Sequence, residues 1–139
     1  MTNTFEKTYR DWSIDVGTYK NEGITLNEVE QNLYAIQDQE QDFVIVSPSN
    51  VISIDKKQYN FVQVCCDEDT DLLHIELSVT IDGEQGAILY GKNELGPQEV
   101  FQIIEDFIVH HKVPPLDSWE IVLDLRPNTE SYVKDTAND

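Results

Sequence analysis

The chain has 139 residues and a formal net charge of −18, which arises from 27 Asp and Glu against 9 Lys and Arg. This length fits one domain with a single hydrophobic core, and a hydrophobic content of 40% argues against intrinsic disorder. So strong a negative charge selects against nucleic acid and in favour of cationic partners. The sequence shows no signal-peptide pattern and no apolar run of membrane-span length, so we expect a cytoplasmic protein without a membrane partner.

The first clear element is a helix predicted over residues 26–37. Thr25 and Glu28 have the spacing of a capping box, and four apolar residues then recur at helical intervals, namely Leu26, Val29, Leu33 and Ile36. The residues before it, from Phe5 to Val16, predict only a short extended or irregular segment. The polar run 37–42 ends the helix.

Strands are predicted at 43–46, 59–66, 72–81, 87–90 and 119–125, with 51–54 as a further short candidate. In 72–81 the apolar residues alternate with His74, Glu76, Ser78 and Thr80, so one face packs and the other meets solvent. In the last strand, Trp119, Ile121, Leu123 and Leu125 are expected to share one face. The adjacent Cys65 and Cys66 would point to opposite faces, which makes them poorly placed to pair with each other.

A second helix is predicted from Pro97 to the basic end at 110–112. Pro suits the first turn, Glu99 complements the helix dipole there, and Pro114 prevents continuation. Its apolar stripe is expected to comprise Val100, Phe101, Ile104, Phe107, Ile108 and His111.

This order of elements predicts a single α+β domain over residues 1–125. We expect an antiparallel β-sheet of about five strands with two helices packed on one face, followed by a polar, flexible tail at 126–139. The other sheet face would be left open and would carry Gln63, Cys65, His74 and Glu76, provided that the register does not slip by one residue.

Chemical motifs are weak along the chain. Asp67, Asp69 and Asp71 begin like an EF-hand loop, but Leu72 and Ser78 occupy the positions that require Gly and Glu, so we interpret this segment as a solvated turn. The three histidines are not spaced as a metal site, and no cofactor motif is present in the sequence. His74 and Glu76 have the spacing of an acid–base pair on one strand face, although two solvated polar residues are the simpler interpretation. We therefore expect no enzyme activity, no cofactor and no metal ligand.

The charges cluster along the sequence. Residues 21–55 and 58–91 contain no Lys or Arg and many carboxylates. Such stretches would build a negative surface that steers a basic partner, unless the charge serves solubility alone.

Several motifs occur in an order that resembles small bacterial immunity proteins of polymorphic-toxin and contact-dependent inhibition systems. The resemblance spans residues 24–123 and rests on the helix with Leu26, Val29 and Leu33, the strands 43–46 and 61–64, the strand with Glu76, the helix start 99–101, and Trp119. Proteins of this kind are not catalysts. They neutralise a cognate toxin, often a basic nuclease, by occluding its active site or a neighbouring surface, which the resemblance implies here without supplying contact residues.

The hypothesis is an acidic inhibitor that covers a positively charged cleft on a basic protein. The candidate contacts are Asp67, Glu68, Asp69 and Asp71 in one turn, His74 and Glu76 on the strand, and Asp82 and Glu84 in the next turn. The alternatives are a nucleic-acid mimic, an accessory protein of a phage or defence system, and an acidic domain with no such role. The oligomeric state is left open.

Overall fold

The structure is a computed structural model that describes residues 6–67 and 70–127. The elements follow in the order β1 (Tyr9–Asp15), β2 (Lys20–Ile24), α1 (Leu26–Gln37), β3 (Phe43–Pro48), β4 (Ile52–Ile54), β5 (Lys57–Cys66), β6 (Leu73–Ile81), β7 (Ile88–Leu95), α2 (Pro97–His110) and β8 (Glu120–Asp124). A short 3-10 turn, Leu116–Ser118, precedes β8.

All eight strands of the described residues belong to one antiparallel sheet. Its order is β2-β1-β3-β5-β6-β7-β8, and β4 pairs with the first residues of β5. The α+β class is therefore confirmed, whereas the expected number of about five strands is wrong. The sequence pattern missed β2 because Lys20–Ile24 is an edge strand with four partly or fully exposed residues, so it needs no apolar alternation.

Both helices pack on the same face of this sheet. Their buried residues, Val29, Leu33, Ile36, Val100, Ile104, Phe107 and Ile108, join one core cluster with the inward residues of β1, β3, β5 and β6. Trp12 and Phe107 meet edge to face in this core, with ring centroids 5.1 Å apart. The helices thus cover one face of the sheet, and the described residues place no helix on the other.

The helix starts follow the predicted capping chemistry with one difference. Thr25 Oγ1 accepts a hydrogen bond from the Glu28 amide at 3.1 Å. The Glu28 carboxylate does not return to the cap; it accepts from Tyr19 and Asn21 and so ties β2 to α1. In α2 the Glu99 carboxylate accepts from the Gly96 amide at 3.1 Å. Both predicted helices are confirmed, and none of the described helices combines the length and apolar character of a membrane span.

Two sequence predictions about the C-terminal part are wrong. His111 does not extend the apolar stripe of α2; it is exposed and ends the helix in a left-handed conformation, with φ at 53°. In β8 the one-face alternation fails because the register shifts between Leu89 and Tyr90, leaving Val122 as the extra residue. Trp119 is buried, whereas every residue of β8 is exposed.

Candidate functional site

The uncovered sheet face carries the polar residues that the sequence assigned to it. Gln63 lies opposite Glu76, and Cys65 lies opposite His74. Cys66 packs against the core on the other side of the sheet. The prediction that Gln63, Cys65, His74 and Glu76 share the open face is therefore confirmed, as is the prediction that the two cysteines point to opposite faces.

His74 and Glu76 form the centre of a side-chain network on this face. His74 Nε2 lies 2.8 Å from Glu76 Oε2, and Gln63 Nε2 donates to Glu76 Oε1 at 2.6 Å. The other ring nitrogen, Nδ1, contacts Asn93 Oδ1 on β7. The side chains of His74 and Glu76 are largely buried, with 18% and 12% of their surface exposed, respectively. Since each ring nitrogen and each carboxylate oxygen has a partner, the network acts as a cross-link between β5, β6 and β7.

The turn between β5 and β6 is held against the end of α1. The Asp67 amide donates to the Leu72 carbonyl at 2.9 Å, and the Leu72 amide donates to Thr70 Oγ1 at 3.0 Å. Gln37 Nε2, on the last residue of α1, donates to the Asp71 carbonyl at 3.2 Å. These bonds place the turn beside the segment that connects α1 to β3.

An open groove of about 540 Å³ lies between these two segments. Its lining residues are Gln39, Gln41, Asp42, Cys65, Cys66, Asp67 and Thr70. We call residues 38–42 together with Asp67 and Asp71 the acidic rim. It carries five carboxylates, and neither of its two segments contains Lys or Arg. Two further candidates, Glu68 and Asp69, lie outside the described residues.

Part of the acidic rim lies at the C-terminal end of α1, where the helix dipole disfavours negative charge. The C-terminal end of a helix carries partial negative charge and favours cations, yet α1 has no basic residue in its last turn. Asp38 is the C-cap, and Glu40 and Asp42 follow within four residues. In α2, by contrast, His110 lies in the last turn. The helix dipole therefore disfavours the carboxylates of residues 38–42 at this position.

The remaining candidates, Asp82 and Glu84, lie at the other end of the sheet. They follow β6, whose nine residues span roughly 27 Å at about 3.4 Å per residue. The six candidate contacts that the structure describes thus do not form one continuous surface, and of these only His74 and Glu76 lie between the two ends.

Glu84 is also partly neutralised by a neighbouring cation. Arg126 Nη1 donates to Glu84 Oε1 at 3.2 Å, and its other nitrogens donate to Asp124 at 2.9 and 2.7 Å. These hydrogen bonds lower the pKa of the Asp124 carboxyl and raise the pKa of Arg126. Arg126 is the first residue of the predicted tail, and residues 128–139 of that tail lie outside the described part of the chain.

No protein-family model, characterised protein or solved structure matches this chain. Its function is therefore inferred from its own geometry and charge. Across residues 6–67 and 70–127, no three His, Cys, Asp or Glu side chains converge in a way that would hold a metal ion.

Sequence reasoning missed the contribution of residues 38–42 to the candidate site. The sequence pattern predicts only that these residues end the first helix, although three of the five, Asp38, Glu40 and Asp42, are acidic. Their nearness to Asp67 depends on the pairing of β3 with β5, which brings Phe43 opposite Cys65. The signal available in the sequence was an acidic run at a helix C-terminus, where basic residues are the usual choice.

Proposed function

We propose that this chain is an acidic protein-binding inhibitor, of the immunity-protein type, that neutralises a basic toxin by covering its active site. The observation that carries the proposal is the acidic rim, where two segments of the sequence free of Lys and Arg meet around a groove next to an uncovered sheet face.

A purely solubilising role would not require this arrangement. Solubility depends on net charge and is served equally well by carboxylates at helix N-termini, where they also stabilise the fold. The rim instead gathers carboxylates at a helix C-terminus. A binding role accounts for charges that are concentrated at an unfavourable place, because a cationic partner would neutralise them.

A basic partner follows from the sign and density of the charge. A negative rim on a chain of net charge −18 steers a positively charged surface during diffusional encounter. A nuclease cleft has that sign, since it must attract phosphate groups. Binding should weaken with salt, because the Debye length falls to about 8 Å at physiological ionic strength.

The nucleic-acid mimic is the second candidate, because the same net charge would serve it. A mimic needs carboxylates in a regular row that follows phosphate spacing. Within the described residues, the candidate carboxylates instead form two groups at opposite ends of β6, with Glu76 between them. This distribution favours an inhibitor with a local contact surface.

The test is affinity capture of the tagged chain from its own host at low and then moderate salt, followed by an assay of the captured protein with and without the chain. The rim variant is Asp67→Lys with Asp71→Lys. A matched control, Glu22→Lys with Asp117→Lys, makes the same change in net charge at exposed positions outside the rim.

We expect a stoichiometric basic protein whose activity the chain suppresses. The rim variant should associate with it about tenfold more slowly at low salt, and the control should change the rate much less. Capture of no basic protein, or equal rates for the two variants, would contradict the proposal.

A further inference from the structure

The last strand concentrates exposed apolar side chains at the edge of the sheet. In the described part of the chain, eight large hydrophobic residues are exposed, and four of them lie within 121–125. These are Ile121, Val122, Leu123 and Leu125, each 47–56% exposed. Scattered exposed apolar residues are ordinary on a protein surface, but a contiguous group of them indicates an interaction site.

The position of β8 makes its backbone available as well. It pairs with β7 on one side, and no strand of the described residues pairs with its other side. An edge strand presents unpaired amide and carbonyl groups that another strand can use. The opposite edge of the sheet, β2, contains Lys20, Asn21 and Glu22 and so carries the charge that usually protects such an edge.

Contacts within this chain hold β8 in place without a partner. Trp119 anchors its start in the core, and the Leu125 amide donates to the Ala87 carbonyl at 2.8 Å beyond its end. Arg126 bridges Asp124 and Glu84 across the same junction. A preformed strand loses little conformational entropy when a second strand is added.

We propose that the free edge of β8 binds an extended cationic segment of the partner protein by strand addition. The proposal rests on the proposed function, because it identifies where the basic partner adds a strand. Main-chain hydrogen bonds would join the segment to β8, and its apolar residues would cover Ile121 and Leu123. Its cations would meet Glu120 at the start of the strand, since Asp124 at the other end is already held by Arg126.

The charges on β8 favour a cationic segment over a second copy of this chain. A second copy would bring another net charge of −18 to this edge, and like charges repel. The register of β8 against β7 pairs Glu120 with Gly91 and Asp124 with Ile88, so these two carboxylates lie on opposite faces of the sheet. Lysines on one face of an added strand would therefore meet Glu120, while Asp124 stays with Arg126.

The probe is a blocked ten-residue peptide in which lysine alternates with valine and threonine. Two comparison peptides replace lysine by glutamate or carry N-methyl groups on alternate amides. Binding to the full chain is measured by fluorescence anisotropy, amide exchange by NMR, and oligomeric state by sedimentation. The edge variant is Leu123→Lys, and the matched control is Val51→Lys, an equally exposed apolar residue outside the strand.

We expect the lysine peptide to bind and to slow amide exchange within 120–124 about tenfold. The edge variant and both comparison peptides should lose that effect, and Val51→Lys should keep it. The proposal is overturned if the lysine peptide does not bind, if it protects a different strand, or if the chain alone forms a dimer through β8.

The two proposals fail in different ways. If the chain captures and inhibits a basic protein that binds the edge variant with unchanged affinity, the proposed function stands and the β8 edge is not the contact. If the peptide protects β8 but the host supplies no basic partner, the edge proposal stands and the inhibitor function fails.

Discussion

The imidazole ring of His74 lies over Gly91, where a β-carbon would come within 2.9 Å of His74 Cε1. The same β-carbon would lie 2.6 Å from Val122 Cγ2, on the bulge of β8. Gly91 faces Glu76 across the sheet, so the absence of a side chain leaves room for the ring that Glu76 and Asn93 hold. The space above Gly91 is therefore bordered by His74 of the open-face network and by Val122 of β8.

Gly91→Ala should destabilise the fold by about 1–3 kcal/mol, because the added methyl group must displace a ring fixed by hydrogen bonds at both nitrogens. Urea unfolding measures the change. In a His74→Ala background the cost of Gly91→Ala should fall by about 0.5 kcal/mol or more, since the ring is gone. Equal costs in both backgrounds would show that the ring does not oppose the β-carbon.

Neutralising the acidic rim should stabilise the folded chain. Glu40→Gln and Asp42→Asn each remove a negative charge near the C-terminal end of α1, so we expect the free energy of unfolding to rise by about 0.3–1 kcal/mol per change at low salt. Thermal and urea unfolding at two salt concentrations would measure it, and the gain should shrink as salt rises.

The matched control for the rim lies at the start of α2. Glu99→Gln removes a carboxylate from a helix N-terminus, where the dipole favours negative charge, so this variant should lose stability instead. A rim variant that is less stable than the parent chain would contradict the electrostatic account of the rim.

Tyr59 should make the fold sensitive to high pH. Burial raises the pKa of its phenol above the ordinary value of 10.0, and the neighbouring Tyr90 and Asp55 add to the effect. The unfolded chain then releases this proton at a lower pH than the folded chain. The stability that depends on the neutral phenol is therefore complete below about pH 10 and is lost as pH rises toward the higher folded pKa.

Tyr59→Phe isolates this contribution, because phenylalanine keeps the ring that packs edge to face with Phe107. Urea unfolding at about pH 8 should give similar stabilities for the two proteins, and at about pH 11 the variant should be the more stable. If both proteins lose the same stability over that range, the phenol of Tyr59 is not the cause.

The stability contributed by the ion pair between Arg126 and Asp124 should depend on pH in the acidic range. Hydrogen bonds from Arg126 hold the pKa of Asp124 below its ordinary value of 3.8. A lowered folded pKa adds stability that is present above the unfolded pKa and is lost as pH falls through the folded value. Because the pair lies at the surface, solvent screening keeps this contribution small.

Carboxyl NMR titration of Asp124 in the parent chain and in Arg126→Gln tests this directly. The pKa of Asp124 should rise toward its ordinary value in the variant. A stability difference between the two proteins near neutral pH should vanish in acid. An unchanged Asp124 titration would mean that Arg126 does not hold the carboxylate in solution.

The sequence predicted the elements whose causes are local. The helix at 26–37 matched the structure because Thr25 caps it and the apolar residues recur every three or four positions. The alternation in β6 placed His74 and Glu76 on the open face, since successive side chains of a strand point to opposite sides. The bulge at Val122 escaped prediction because it depends on how β8 pairs with β7, where Val122 packs over Gly91, thirty-one positions earlier in the sequence.

The sequence alone determined the net charge, both helices and the residues of the open face, because composition, caps and periodicity can be read without knowing which segments meet. Only the tertiary structure decided that residues 38–42 join Asp67 and Asp71 in one rim, that Asp82 and Glu84 lie a strand length away, and that β8 has β7 as its one strand partner among the described residues. Strand order and register depend on contacts between segments that are distant in the sequence. A pattern of adjacent residues does not predict which of these segments pair.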